Sequence, residues 1–156
     1  MPDRTLMARL QLSASGVGWA ASLLKPWQFE GTEGEWSAHQ SVFHLLANER
    51  IFQHRIRRML AEDRPVFQRW DSTGYMRVNY AQEPGIEALA EAFVAARAET
   101  YETFKSLEPA QWVLRGEWPD GREVDLAWLA EKVLWHALVH FAVLLDMHGE
   151  LAPLQG

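Results

Sequence analysis

Apolar residues recur at steps of three and four through four long stretches of the chain, and no stretch alternates at the period of two that a half-buried strand requires. The first runs from about Arg4 to Leu24, interrupted by Gly16 and Gly18 and stopped by Lys25-Pro26. The second opens on "SAHQ", a capping-box pattern with Ser37 as N-cap and Gln40 reaching back to it. Its apolar arc is Val42, Leu45, Leu46, Phe52, Ile56, Met59 and Leu60, and "EDRP" ends it near Ala61. The third starts around Pro84, a favourable first-turn residue, and carries Ile86, Leu89, Phe93, Ala96, Thr100 and Leu107. The fourth follows a turn at Asp120-Gly121. Asp125 is placed to cap it, Val124 and Leu129 to form a hydrophobic staple, and Gly149 to end it in a left-handed conformation.

Four amphipathic helices in 156 residues predict an all-α fold, a four-helix bundle forming one domain over 1–156. The joint between the second and third helices, about Glu62 to Glu83, is long for a bundle and predicts a crossover connection. Its "RPVFQRWDSTGYMRVNY" is rich in aromatic and basic residues, suited to packing over one end of the bundle and framing a pocket.

Composition narrows the functions. The chain is 48% hydrophobic, enough for a proper core, and carries a net charge of −6. That sign disfavours nucleic acid and anionic lipid as partners. No cysteine is present, which removes disulfides, zinc–thiolate sites and a cysteine nucleophile together and fits a cytoplasmic location. No run approaches ~18 uninterrupted apolar residues, so no membrane span is expected, and the N-terminal stretch reads as part of the domain, not a signal peptide.

The fourth helix poses a chemical question. Its inward stripe reads Leu129, Val133, His136, His140, Val143, Met147, which puts two histidines one turn apart on the core-facing side. Their Cβ atoms should lie about 5–6 Å apart, close enough for two imidazoles to grip one divalent ion. Six histidines in this length give roughly 0.2 pairs at any one spacing by chance, so the spacing alone is a weak signal. Its position on the stripe strengthens it, because a buried imidazole must find a partner. A third ligand has to come from another helix. His148 lies two turns beyond His140, His39 falls in the first turn of its helix and His54 on the polar side. His44 lies mid-helix, about 120° from the centre of the apolar arc, a flank position that ranks it first without deciding the matter.

Four segments together are similar to a known family. "EWSAHQSVFHLLANER", "RWDSTGYMRVNY", "AFVAARAETYETFKSL" and "RGEWPDGREVDLAWLAEKVLWHALVH" resemble, in order and spacing from Glu35 to His140, the DinB/YfiT-like metalloenzymes, the DinB-like four-helix domains. The resemblance implies a metal triad of His44, His136 and His140, a crossover between the second and third helices, and often a homodimer. It also implies a divalent metal, Zn, Ni or Fe, and a low-molecular-weight thiol cosubstrate, since members include bacillithiol- and mycothiol-dependent transferases and isomerases. The chain departs from the pattern at Val143, where the family often has a glutamine.

Three imidazoles leave an open coordination position, the arrangement of a catalytic site. The activity the resemblance implies is a metal-dependent thiol S-transferase, or a related transferase or hydrolase, acting on a small molecule. The alternatives are a non-catalytic metal- or ligand-binding or sensing module, and a metal-free structural bundle. Metal held by imidazoles should leave as pH falls below about 6. Three further residues are candidates for the pocket. Glu49 falls inside the apolar arc of its helix, either supporting the site or, as the favoured reading, forming an internal salt bridge to Arg97. Arg97 and Tyr101 sit one turn apart, positioned to meet an anionic substrate or to pack between helices.

Overall fold

The computed structural model describes residues 4–31 and 34–152. Five helices form: α1 (Arg4–Leu24), α2 (Ala38–Ala61), a short α3 (Ser72–Asn79), α4 (Ile86–Lys105) and α5 (Leu126–Leu151). The local signals act as the chain suggests. Ser37 Oγ accepts from the Gln40 amide while Gln40 Oε1 accepts from the Ser37 amide, closing the capping box of α2. Asp125 accepts from the Trp128 amide at 2.8 Å and starts α5.

Long-range pairings give the topology. Glu49 meets Arg97 and Gln53 meets Thr100, so α2 and α4 run parallel, and the chain between them must return along the bundle. His44 meets both His136 and His140, while Asn48 meets His136, so α2 and α5 are antiparallel. α1 packs on α4 and α5, with Leu10 near Arg97 and Gly16 against Phe141. Consecutive long helices α1 and α2 are therefore diagonal, each flanked by α4 and α5. Gly16 belongs to this packing: an added Cβ would stand 3.2 Å from Phe141 Cζ, so its absence lets α1 and α5 approach.

The interior is layered. One apolar cluster gathers Val17, Leu24, Val42, Leu45, Phe93 and Leu144, and a second gathers Leu10, Phe52, Ile56, Phe104, Leu129 and Val133. Between them lies a polar layer of Ser13, Glu49, Arg97 and Thr100 contributed by α1, α2 and α4. α5 is long and apolar enough to cross a membrane by length and composition, yet here it is a bundle helix packed on α1 and α2.

Three expectations are corrected, and the helical frame carries one small hairpin. Two strands exist, β1 (Arg115–Glu117) and β2 (Glu123–Asp125), in an antiparallel hairpin, and residues 65–67 bridge alongside β1. Each strand has three residues, too few to show alternation. Gly121 turns this hairpin at φ +84°, a left-handed conformation glycine adopts without strain. Pro84 precedes α4, which starts at Ile86 with Gly85 as its cap. Gly149 does not end α5, which continues to Leu151. Along α5 the buried side runs through Val133, Ala137 and Leu144, so Val143 is exposed and the histidines occupy the flank turned toward α2.

Candidate metal centre

α2 and α5 bring three histidines together. His44, His136 and His140 each offer a ring nitrogen, all within 4.8 Å of one another. Nε2 of His44 and Nε2 of His136 are 3.1 Å apart. Two ligands at 2.0–2.1 Å on a tetrahedral ion stand about 3.3 Å apart, so this pair is already spaced for shared coordination. Nδ1 of His44 and Nδ1 of His140 are buried without a hydrogen-bond partner among the described residues. A divalent ion held by His44 and His136 through Nε2 would also engage a ring nitrogen of His140, whose buried Nδ1 has no other partner, while His44 Nδ1, across the ring from its ligating atom, would stay unpaired. The donor set is all nitrogen, which suits Zn, Ni, Fe and Cu.

The surroundings hold these rings neutral. Burial first, then the neighbouring His140, lowers His44 from its usual 6.5 to about 4. Burial, followed by His140, His44, Arg97 and Lys132, lowers His136 to about 3, and burial lowers His140. Neutral imidazole is the metal-binding form. Around the rings, Trp36 tilts against His44 and Trp70 stacks on it at 5.9 Å. The Asn48 side-chain amide lies 2.9 Å from His136 Nδ1. The atom at that distance is Asn48 Nδ2; with the amide turned end for end, so that its carbonyl oxygen accepts Nδ1–H, Asn48 would leave the His136 Nε2 lone pair facing His44.

The site opens on a cavity of about 540 Å³ whose wall includes His44, Asn48, Trp70, Trp118, Asp120 and His136. The sequence from residue 5 to 144 matches the DinB superfamily. The chain belongs to the DinB superfamily. Its fold is that of YfiT from Bacillus subtilis, described as a probable metal-dependent hydrolase with an unusual four-helix bundle topology. The two share 15% sequence identity and a TM-score of 0.85 over 97% of this chain and 93% of YfiT. No curated protein matches the sequence.

In this DinB-superfamily protein the remaining candidate residues lie elsewhere. Glu49 and Arg97 form a buried bidentate salt bridge, 2.9 Å on each arm, each side chain only 2% exposed. Arg97 also donates to Leu10 O, Ser13 Oγ and Val133 O, and Glu49 accepts from Thr100. Glu49 is thus a tie, not a base, and Arg97 is not available to an anionic substrate. Tyr101 faces a different cavity of about 340 Å³, beside Met7, Phe104 and Trp112.

His39 departs from the expected solvated position. It is fully buried, its Nε2–H donating to Pro84 O at 2.7 Å and its Nδ1 accepting from the Tyr80 hydroxyl at 2.8 Å. His54 is exposed, and His148 packs edge-on against Trp27. Sequence reasoning missed Asn48 and Arg55. Asn48 stands one turn after His44, a spacing that marks it in hindsight, whereas nothing in the sequence marks Arg55.

Proposed function

We propose that this DinB-superfamily protein is a divalent-metal-dependent enzyme acting on a small molecule in the cavity beside His44, His136 and His140. The observation that carries this reading is the 3.1 Å approach of two imidazole Nε2 atoms from separate helices, joined by His140 and opening on a substrate-sized space. A divalent ion on these three imidazoles would leave an open position, where it would lower the pKa of a bound water toward ~7 or deprotonate a bound thiol.

The chain's own groups favour thiol chemistry over hydrolysis. Hydrolytic zinc sites of the HExxH kind add a carboxylate as general base. Here the one carboxylate among the described residues lining the cavity, Asp120, is engaged by Arg122 at 2.8 Å, and Glu49 is locked to Arg97. A metal-bound thiol would be deprotonated outright, its proton passing to solvent, so thiol addition or transfer depends less on a separate base than hydrolysis does, and the sulfur that this cysteine-free chain lacks arrives with the cosubstrate. YfiT's description as a hydrolase keeps water as the competing nucleophile. The same shortage of a free base also supports a second reading, a module that binds a ligand without turning it over.

Elemental analysis of untagged wild type beside His136→Ala is the first test. Near-stoichiometric Zn, Ni or Fe in the wild type and its loss in the variant support the site. Metal-replete protein is then assayed with low-molecular-weight thiols and electrophiles, and with esters and amides. Turnover only with thiols supports transfer, and turnover of esters or amides without thiol moves the reaction to hydrolysis. Tight ligand capture without product identifies the binding module. No metal in either protein, even after reconstitution, removes the reading.

A further inference from the structure

Among the described residues two arginines are buried, and one of them has a counter-ion. Arg97 directs its guanidinium at Glu49, Leu10 O, Ser13 Oγ and Val133 O. Arg55, 9% exposed, donates to Gln68 O at 3.1 Å and lies over the Trp118 ring at 4.5 Å, with no carboxylate within 4.0 Å among the described residues. Burial without a compensating anion disfavours its charged form and lowers its pKa. A buried cation is ordinarily paired, so one left facing a cavity marks a place where an anion completes the pairing.

The wall of the same cavity supports this reading. Besides Arg55 it carries Arg69 from the crossover and Lys132 from α5, one turn before His136. Neither is in a salt bridge with any described residue, although the chain as a whole carries a charge of −6. Asp120, the one acid on that wall among the described residues, pairs with Arg122 at the surface. Three cations from three separate segments therefore reverse the sign of the surface at the mouth of the histidine site, concentrating anions there.

We propose that the cavity recognises its substrate through an anionic group, a carboxylate or phosphate, received by Arg55 with Arg69 and Lys132 at the rim. This deepens the enzyme reading by naming the substrate class and rests on it for the word substrate. The anion site itself stands on Arg55, Arg69 and Lys132. These are positioning residues for the ligand's charge, distinct from the histidines.

The test is titration of phenyl phosphate and of neutral benzyl alcohol into as-purified protein, followed by calorimetry. It is repeated after chelator treatment, so that an anion held only by a metal is told apart. Wild type is expected to bind phenyl phosphate in both states, with affinity falling as salt rises, and to bind benzyl alcohol at least roughly tenfold more weakly. Arg69→Gln/Lys132→Gln, both at the surface, should weaken phenyl phosphate roughly tenfold and leave benzyl alcohol unchanged. Arg55→Lys keeps the charge but not the planar fork and should weaken it further. Equal affinity for the two probes, an affinity indifferent to these substitutions, or binding that disappears on chelation would overturn the proposal. Anion binding by a protein that takes up no metal even on reconstitution would sink the enzyme reading alone.

Discussion

The side-chain amide of Asn48 lies 2.9 Å from Nδ1 of His136, the nitrogen on the far side of the ring from His44. A partner at that position sets the tautomer and the ring orientation of a ligating histidine. Asn48→Ala should therefore weaken metal binding about 10–100-fold while the bundle stays folded. Asn48→Asp, whose carboxylate accepts the same Nδ1–H, should retain most of the affinity. Competition with a chromophoric chelator measures both. Wild-type affinity in Asn48→Ala would show that the contact does not orient the ligand.

The Glu49–Arg97 pair ties four helices at the polar layer. Removing one member leaves the other as an uncompensated buried charge. Arg97→Met should cost about 3–5 kcal/mol, and Glu49→Leu/Arg97→Met should be less damaging than Arg97→Met alone. Urea denaturation of metal-free protein reads both values. A loss under about 1 kcal/mol for Arg97→Met would mean the ion pair contributes only what a surface pair does.

What the sequence disclosed, and what it hid, follows from the range of each interaction. Ser37 with Gln40 and Asp125 with Trp128 are contacts three residues apart, so their caps are legible as local patterns. Glu49 is conspicuous for the same reason, a carboxylate within an apolar arc. His44 was ambiguous because its helical wheel has no knowledge of α5. Its partner His136 is 92 positions away, and only packing of α2 on α5 shows that a flank residue is buried. His39 misleads in the same way, since Tyr80 and Pro84 reach it from the far end of the crossover. Arg55 carries no sequence mark at all. Its significance lies in the missing carboxylate, which only the folded neighbourhood reveals.

Acid should erode stability through the histidine site from mildly acidic pH onward. The folded-state pKa of His44 is about 4 and of His136 about 3, both below the 6.5 of the unfolded chain. Between these limits the unfolded chain binds protons that the folded chain refuses. The stability of metal-free protein is thus fully present above pH 6.5 and declines as pH falls toward 4 and then 3. His44→Leu/His136→Leu should flatten that decline, measured as the urea midpoint against pH. Protons also compete for the rings only near these lowered values. Metal release should accordingly set in below the pH of about 6 expected of ordinary imidazoles. Half-release at or above pH 6.5, measured by elemental analysis after dialysis, would contradict the burial that lowers these groups.

His39 and His44 are five residues apart on α2, both buried, and should respond to substitution in opposite ways. His39 joins the start of α2 to the end of the crossover through Tyr80 and Pro84, and neither of its ring nitrogens is free for a ligand. His39→Ala strands the Pro84 carbonyl and the Tyr80 hydroxyl. Pro84 is exposed and Tyr80 half-buried, so water can reach both groups, and the expected loss is about 1 kcal/mol for each lost bond. Metal content should be unchanged. His44→Ala should abolish metal binding and leave the metal-free bundle near wild-type stability, because the residue it removes carries a desolvated ring with an unpartnered Nδ1. Denaturation of metal-free protein and elemental analysis of reconstituted protein, run on both variants, separate the two roles. Metal lost from a well-folded His39→Ala would place the site around the wrong histidines.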